Sequence, residues 1–569
     1  MVGFVVSGFA ILLQVSAAGL AFTSNPVPPA DSARLVRSVR SAQRSFEAFR
    51  RGRLPFGYDF SGPCDVRVGR YCYWRGDDSE DEPPRESPDV ARRRDELIRQ
   101  IGDAAATLPA DGWLAGQRVR YLVEAGRADS AMKVAASECR ADPWWCAALA
   151  GYAAHSAARF ADADSAYAAA LAAMAPDTRC EWLDISRLVD DVTDRRLRSL
   201  DCAGRVALAE RIFRLSAPLY FVSATDLLSE HLARVTRAVI AEQAATPDGE
   251  PWANDERELV IRYGWPQWYS RSLPSAALDA RPSITGHDSG MPYDFLVAGQ
   301  ALDRVAHISS RDWTLDDDRA ATEYAPRYAR SVHELPNQLA VFRRGDSAVV
   351  VAAWDARRDT TLLGRPLIAA LALFDETRVS VVARDDSARA VGRLWGAAPI
   401  DSGVVSLELL AQADRRAARY RVGLLPPAAG RVALSDLLLY SAGVGSASEL
   451  SEVRDSALAS NVIPASRAVG VFWETYGRSA TGEPVHFSLT VREVGVGWAR
   501  RAAERLRLVD RASSLRIEWD EVPRQRDGIA GRGVRVDFSR LRHGHYVMDL
   551  VASTRTGASA VSTKEIDVR

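Results

Sequence analysis

"SAARFADADSAYAAALAAMAP", residues 156–176, decides the architecture of the first half of the chain. Alanines and one tyrosine recur at helical spacing after a turn, and a proline lies beyond the end, which predicts an amphipathic helix. "EAGRADSAMKVAASECRADP", residues 124–143, repeats the same plan. Helical patterns continue through residues 202–220 and 224–245. The sequence therefore predicts an α-helical region over residues 93–220.

The two alanine-rich units resemble a degenerate pair of tetratricopeptide repeats. Ala131 and Ala163 occupy equivalent places, and their separation is close to the repeat period of about 34 residues. Gly126 and Gly151 stand where such repeats need a small residue, because paired helices approach closely there. The resemblance implies either a peptide-binding groove or a helical spacer. Two units make a poor groove, so we favour the spacer.

Short apolar or alternating runs separated by turns replace the helical pattern after about Glu334. Such runs are typical of antiparallel β-sandwiches. We expect one β-sandwich over residues 334–445 and a C-terminal one over 446–569, with a small α/β module over 221–333 between the helices and the first sandwich. The predicted fold class is thus multidomain α+β.

"EPWANDERELVIRYGWP", residues 250–266, resembles the GWxTD motif region of uncharacterised bacterial extracytoplasmic proteins. Trp252 and Asp255 match the tryptophan and aspartate of that motif. Pro251 and Asn254 depart from its glycine and threonine. The family has no activity that the resemblance can carry over to this chain.

The same resemblance implies a strand that ends in a Tyr-Gly-x-Pro turn, here Tyr263, Gly264 and Pro266. Residues 259–261 are expected to form that buried strand, and the glycine permits a positive φ. The family's β-rich C-terminal part is also similar to "FWETYG" and "HGHYVMDLVAS" of this chain. The resemblance covers roughly residues 215–569.

Large aromatic residues follow the motif, and they have two interpretations. The module either packs onto the helices through Trp265, Trp268 and Tyr269 or uses these side chains as an exposed sugar-binding platform. Large aromatic residues more often belong to a hydrophobic core, which favours the packing interpretation. A hydrolytic enzyme would use the two tryptophans with His287 and Asp288 in a cleft. The candidate binding residues of this region are Trp252, Asp255, Tyr263, Trp265, Trp268 and His287.

No motif of catalysis, metal binding or nucleotide binding stands out. The chain has no H-E-x-x-H, no Walker sequence and no G-x-G-x-x-G before a helix. "GHDSG" (286–290) places its histidine, aspartate and serine adjacent, whereas a triad assembles from separate segments. The pair His543 and His545 lacks a third ligand, and residues 312–323 lack the glycine and terminal glutamate of a calcium loop. We predict no catalytic residues, no metal and no cofactor.

The N-terminal part of the chain indicates an extracytoplasmic protein. Residues 1–21 are apolar and resemble a signal peptide, or a membrane anchor if they are not cleaved. Residues 22–92 are rich in proline, arginine and acids and are expected to be largely a disordered linker. Six cysteines form three pairs of sequence neighbours, and an even count behind a signal favours disulfides. The expected pairs are Cys64–Cys72, Cys139–Cys146 and Cys180–Cys202.

Charge and composition narrow the function further. The formal net charge is −1, and all but two of the 73 basic residues are arginine, so nothing indicates a basic nucleic-acid surface. We predict a periplasmic or secreted, non-enzymatic protein for protein–protein interaction or envelope assembly, whose partners are other envelope or secreted proteins. Its contact with the membrane would be limited to the N-terminal segment. The alternative is a carbohydrate-binding or carbohydrate-cleaving protein that uses Trp265 and Trp268.

Overall fold

A computed structural model defines the fold. It describes residues 29–60, 66–73, 85–223, 225–249, 251–266, 268–272, 284–287, 293–313, 315, 321–375, 377–427, 432–464, 468–477, 484–494, 514–523 and 528–569.

Helices dominate the first half of the described chain. They are α1 (Pro29–Arg51), α2 (Pro88–Thr107), α3 (Gly112–Glu124), α4 (Ala128–Lys133), α5 (Pro143–Ser156), α6 (Phe160–Ala173), α7 (Pro176–Trp182), α8 (Asp191–Arg198), α9 (Cys202–Ser216), α10 (Asp226–Ala241), α11 (Asn254–Tyr263) and the short α12 (Leu450–Val453). A π-helical turn at Val134–Glu138 extends α4. The expectation of an N-terminal helical region followed by β-rich domains is confirmed.

The segment expected to be a linker, residues 22–92, contains ordered structure. Its α1 buries Val39 and Phe46 together with the polar side chains of Gln43, Glu47 and Arg50. These residues recur every three or four positions and form one helix face, but three of the five are polar, so a hydrophobic pattern does not reveal them. The Phe46 ring packs edge-on against Tyr121 of α3. The expectation of a largely disordered linker is therefore wrong for α1.

The antiparallel pair α5 and α6 packs closely, and a glycine makes this possible. A Cβ atom on Gly151 would lie 2.8 Å from the ring of Tyr167, whose side chain is almost fully buried. Gly126 meets a different need: it has φ +71° and no atom within 4 Å of its Cβ position. Close helix approach thus explains Gly151 only, whereas backbone conformation explains Gly126.

Strands dominate the second half of the chain, with a few short ones earlier. They are β1 (Phe56–Phe60), β2 (Val66–Val68), β3 (Tyr71–Tyr73), β4 (Trp268–Ser272), β5 (Ile284–His287), β6 (Ser331–Glu334), β7 (Asn337–Arg344), β8 (Ser347–Asp355), β9 (Leu367–Phe374), β10 (Val379–Ala388), β11 (Val391–Pro399), β12 (Gly403–Ala411), β13 (Arg416–Leu424), β14 (Ala433–Leu434), β15 (Leu438–Ser441), β16 (Val462–Ile463), β17 (Ala468–Tyr476), β18 (Val485–Glu493), β19 (Ser514–Glu521), β20 (Ile529–Asp537), β21 (Gly544–Thr554) and β22 (Ser559–Val568).

The first sandwich has two layers: a sheet of strand order β10-β9-β12-β13-β6 packs against a sheet of strand order β11-β8-β7. Its core contains Trp354, Leu371 and Leu407. Every residue of β12 is buried, because the larger sheet also packs its other face against α9 and residues 293–313 and 324–332. A strand buried on both faces has a nearly continuous apolar sequence, as "GVVSLELLA" has.

The second sandwich also has two layers: a sheet centred on β17 packs against a sheet of strand order β16-β22-β21-β18-β19. The central β17 pairs with β14, β15 and β20. Since β14 and β15 precede residue 445, the second sandwich begins earlier in the chain than the expected boundary of 445/446. Residues 442–461, which connect β15 to β16, therefore lie within this domain.

A buried ion pair joins the helical region to the first sandwich. Glu408 of β12 is fully buried and accepts hydrogen bonds from the backbone N–H groups of Tyr220 (3.0 Å) and Phe221 (3.1 Å). Arg421 of β13 lies 3.2 Å from the same carboxylate and donates to the carbonyl oxygens of Leu215 and Ala217. These bonds cap the chain that leaves α9 and fix it to the sheet.

Side-chain to backbone bonds join the two sandwiches. Gln338 of β7 donates to the carbonyls of Leu439 (2.9 Å) and Leu458 (2.8 Å) and accepts from the Leu439 N–H (2.6 Å). Lys564 of β22, buried at 7% exposure, donates to the Leu339 carbonyl. Burial lowers the pKa of Lys564 to about 8. The two sandwiches therefore share a buried polar interface.

Candidate functional site

The motif region forms helix α11 and not the expected strand. Glu256, Leu259, Val260 and Tyr263 are its buried residues, and their spacing is that of one helix face. The expectation of a strand at residues 259–261 is therefore wrong. It rests on three consecutive apolar residues, but the buried Glu256 lies on the same helix face as Leu259 and Tyr263. The helix ends at Gly264, whose φ of +83° confirms the predicted left-handed turn.

Asp255 in the first turn of α11 binds an arginine from the hairpin of β2 and β3. Its carboxylate accepts from the Nε (2.7 Å), Nη2 (2.9 Å) and backbone N–H (3.1 Å) of Arg70. The Arg70 hydrogen bonds hold the pKa of Asp255 at about 2, so it is ionised at neutral pH. The motif aspartate therefore anchors a segment 185 residues away in sequence.

Tyr263 at the end of α11 stacks on the same hairpin. Its ring lies parallel to that of Tyr73, with ring centroids 3.9 Å apart. Both side chains are buried together with Val68 and Leu259. The Tyr73 hydroxyl donates to Glu323 at 2.8 Å, so the stack also reaches the segment before the first sandwich.

Trp265 follows the turn and contacts two buried arginines. The guanidinium of Arg237 (α10) lies 4.0 Å from the ring centroid and that of Arg120 (α3) lies 5.0 Å from it. Cations over an indole ring are favourable, and more so when they are desolvated. The indole Nε1 is buried with no hydrogen-bond partner among the described residues. One face of this ring is thus occupied by the protein itself.

The two arginines belong to a buried ion network that links α1, α3 and α10. Glu124 accepts from Arg50 (2.9 Å), Arg120 (3.0 Å) and Arg237. Glu47 accepts from Arg120 (2.7 Å) and from the Tyr121 hydroxyl (2.6 Å). Burial favours the neutral acids, yet Arg237, Arg50 and Arg120 lower the pKa of Glu124 well below its usual range. Burial prevails at Glu47, whose pKa is raised.

The remaining predicted site residues lie at the edges of this region. Trp252 is half-buried and borders a surface cavity of about 360 Å³ between α1 and the end of α10. Trp268 is half-buried in β4, where it pairs in register with His287 of β5. Asp288 and most of the "GHDSG" loop lie outside the described residues. The structure therefore gathers Asp255, Tyr263 and Trp265 into one joint.

A second polar cluster, which the sequence did not reveal, surrounds the start of α10. Asp226 is fully buried and accepts from the hydroxyls of Tyr328 (2.7 Å) and Tyr324 (3.3 Å). Burial raises the pKa of Asp226 to about 7. One turn on, His155 contacts Ser229 (2.8 Å) through Nδ1 and Glu230 through Nε2.

This cluster resembles a Ser-His-acid arrangement only in composition. The Ser229 hydroxyl is 1% exposed and donates to the Asp226 carbonyl at 3.0 Å, so a substrate has no access to it. Arg234 also holds Glu230 and donates to the Arg262 and Glu323 carbonyls. The cluster connects the helices with residues 321–328.

An aromatic cavity of about 310 Å³, which the sequence also did not reveal, lies between the starts of α3 and α5 and the end of α10. Trp113, Trp144 and Trp145 line it together with Gln117, Asp142 and Gln243. A signal was present in the sequence: the doublet Trp144–Trp145 lies between two closely spaced cysteines.

Two of the expected disulfides are present, Cys139–Cys146 and Cys180–Cys202, with Cα atoms 5.9 and 5.8 Å apart. Cys64 lies outside the described residues, so its expected bond to Cys72 stays a prediction. Disulfides persist in oxidising compartments, and this pair of bonds indicates such an environment.

Among the described residues, no group of three or more histidine, cysteine, aspartate or glutamate side chains is placed to hold a metal ion. Within the same residues, no helix has both the length and the apolar character needed to cross a bilayer.

Comparisons with known proteins identify no family. No protein-family model matches the chain, and no curated protein matches it. One solved structure with local similarity is that of the FN1–FN3 domains of chicken CNTN1. It is 9% identical, covers 42% of this chain and 67% of its own, and has a TM-score of 0.15. A score this low supports no inference about this protein.

Proposed function

We propose that the protein is a non-enzymatic, extracytoplasmic interaction or envelope-assembly protein. The observation that carries the proposal is the use of the motif side chains as intramolecular joints. Asp255 is held by Arg70, Tyr263 by Tyr73, and Trp265 by Arg120 and Arg237. Groups committed to holding distant segments together are not available to bind and convert a substrate.

The two disulfide bonds support the proposed extracytoplasmic location. The bonds Cys139–Cys146 and Cys180–Cys202 would be reduced in an ordinary cytosol, so a periplasmic or secreted location fits them best. The apolar segment 1–21, interpreted as a signal peptide or anchor, supports the same location. Whether the protein is released or tethered depends on cleavage of that segment.

The finer family assignments are part of the proposal. The close pair α5 and α6, with Gly151 against Tyr167, supports a tetratricopeptide-like helical hairpin. Tight binding of Asp255 and the left-handed Gly264 support a conformational role for the GWxTD-like residues. In this proposal the helical region is a spacer, and the GWxTD-like module is the joint between it and the β domains.

The second sandwich presents exposed apolar side chains for contact with partners. Val494, Ile517, Val522 and Val561 are 37–62% exposed, and all four belong to this domain. Strand β19, which contains Ile517, is at the edge of its sheet in the described topology. Exposed apolar side chains on a sheet edge are a common feature of surfaces that bind other proteins.

The carbohydrate alternative at Trp265 receives less support. A sugar platform needs an open ring face, whereas Arg237 covers one face of this indole at 4.0 Å. Burial of Nε1 further restricts the ring edge.

Site-specific photocrosslinking in the native envelope tests the proposal. A photoreactive amino acid replaces Ile517, at 37% exposure, in one variant and Leu363, a more accessible loop residue at 50% exposure, in the control variant. We expect one discrete crosslinked protein from position 517 and none from position 363. Absence of any crosslink from position 517, or turnover of glycoside, peptide or ester substrates by the purified protein, would contradict the proposal.

A further inference from the structure

The aromatic cavity between α3, α5 and α10 has features that the interdomain joints do not explain. Trp145 is its most buried indole, at 8% exposure, whereas Trp113 and Trp144 are half-buried and present ring surface to solvent. Trp144 contacts both Trp145 and Trp182 edge-on, with centroids 5.7 and 5.8 Å apart. Three adjacent indoles form a rigid aromatic wall at the protein surface.

Hydrogen bonds and glycines hold two of these rings, those of Trp113 and Trp145, in fixed positions. The Trp145 Nε1 donates to the Gly112 carbonyl at 2.9 Å, and the Trp113 Nε1 donates to the Gln243 carbonyl at 3.1 Å. A Cβ atom at Gly112 or Gly116 would lie 3.2 Å from the Trp145 ring. Glycine at both places therefore gives the indole room that a larger side chain would reduce. Fixed rings lose little entropy when a ligand binds.

A disulfide closes the segment that carries much of the wall. The bond Cys139–Cys146 spans Asp142, Trp144 and Trp145. It restricts the backbone of this segment, which keeps the cavity in one shape. The same bond makes the cavity sensitive to reduction.

Polar groups at the rim have unused hydrogen-bonding capacity. Asp142 precedes α5 but its side chain makes no capping bond, and it forms no ion pair with any described residue. The exposed Gln243 uses its amide oxygen to accept from Arg40 at 3.1 Å. Its amide nitrogen and the Asp142 carboxylate thus provide a donor and an acceptor beside the indoles.

We propose that this cavity binds a neutral saccharide. Sugar rings combine an apolar face, which stacks on an indole, with hydroxyls that bond to carboxylates and amides. A volume of about 310 Å³ is at the lower end of the range for small-ligand pockets, which suits one or two sugar rings. This inference goes beyond the proposed function and does not depend on the protein partner.

A cationic ligand fits the cavity less well, because a positive charge already stands at its rim. The Arg40 guanidinium lies 4.8 Å from the Trp113 ring centroid and has no carboxylate partner among the described residues. A second cation would be repelled, whereas a sugar hydroxyl can accept a hydrogen bond from the same guanidinium.

Isothermal titration of the full-length protein with trisaccharides tests the inference. The probes are the trimers of N-acetylglucosamine, glucose in β-1,4 and α-1,4 linkage, and mannose. We expect at least one to bind with a Kd of about 1 mM or tighter. Binding by none of the four overturns the proposal.

Variants then locate the site. We expect Trp144→Ala to weaken binding at least tenfold, a change of about 1.4 kcal/mol, because the stacking surface is lost. Trp395→Ala is the matched control: it removes an indole that is 45% exposed on the first sandwich, and binding should be unchanged. Asp142→Asn should leave the fold intact, since this side chain makes no hydrogen bond or ion pair with the described part of the chain, and it is expected to weaken binding several-fold.

Three outcomes test whether the saccharide binds at this cavity. Joint replacement of Cys139 and Cys146 by serine should weaken binding, since the wall loses its closure. Unchanged affinity in both the Trp144→Ala and Asp142→Asn variants would place binding elsewhere and overturn the assignment. Displacement of the saccharide by a lysine or arginine tripeptide would show a cation site and overturn it as well.

Discussion

Replacement of Glu124 by glutamine probes the buried ion network of the helical region most strongly. The Glu124 side chain is 8% exposed and accepts from Arg50, Arg120 and Arg237. Glutamine preserves the shape but removes the charge, which leaves three buried guanidiniums with Glu47 beside Arg120 (2.7 Å) and Glu86 beside Arg50 (3.1 Å) as the remaining acids. Removing one partner of a buried ion pair costs about 3–5 kcal/mol. We expect Glu124→Gln to lower the unfolding free energy of the helical region by about 4 kcal/mol.

Urea denaturation followed by far-UV circular dichroism at the helical wavelength measures this change. The matched control is Glu518→Gln on β19, which breaks the exposed pair of Glu518 with Arg516. Exposed pairs contribute about 0.2–1 kcal/mol, so the control should change little. A loss below about 1 kcal/mol for Glu124→Gln would refute the reasoning, since it would equal the loss expected at the surface.

The sign of the pH dependence gives the same variant a second readout. The pKa of Glu124 is lowered in the folded protein, so its contribution is present above the unfolded pKa of about 4.3 and is lost as the pH falls further. Glu124→Gln should therefore reduce the acid-induced loss of stability. An unchanged acid profile would contradict the assignment of a charged Glu124.

Three further predictions concern separate parts of the molecule. The pKa of Asp226 is raised to about 7, so the folded protein binds more protons than the unfolded chain between about pH 4 and 7, and its stability falls as the pH rises through this range. Asp226→Asn should remove up to about 4 kcal/mol of this dependence when denaturation is measured at several pH values. Parallel stability profiles of the variant and the wild-type protein would contradict this prediction. Gly151→Ala should destabilise the protein in thermal unfolding by about 1–3 kcal/mol, because the new methyl group meets the Tyr167 ring. The control Gly102→Ala should be neutral or stabilising, because the atoms nearest to its new methyl group are 3.5 Å away on the flexible side chain of Arg118. The pKa of Asp255 is lowered to about 2, so the stability it provides is lost as the pH falls from about 4 to 2, and Asp255→Asn should show a smaller loss there in acid titration.

Periodicity predicts the fold well where one face of an element is apolar. The β-strands of both sandwiches and the helices α4, α6, α9 and α10 follow from their patterns. The pattern fails for α1 and α11, because their buried faces contain polar residues such as Glu47 and Glu256. These side chains are buried in contact with partners elsewhere in the chain, and no local sequence pattern shows that a charge will be paired.

The candidate site shows the same limit over longer distances. The sequence singled out Asp255, Tyr263 and Trp265, and the structure brings all three to one joint. Their partners Arg70 and Arg237 are not distinguishable in an arginine-rich chain until the fold places them. The aromatic cavity also depends on segments from three helices, which explains why a local tryptophan doublet did not predict it.

The unfolding free energy of Trp265→Ala relative to Trp395→Ala tests most directly the central claim that the motif is a structural joint. Trp395 is the matched residue, since it also contacts one arginine, Arg454, at 3.8 Å but is 45% exposed. We predict a loss of about 3 kcal/mol for Trp265→Ala and of less than about 1 kcal/mol for Trp395→Ala. Equal small losses, together with protection of Trp265 fluorescence by an added saccharide, would contradict the claim and make this residue part of a binding site.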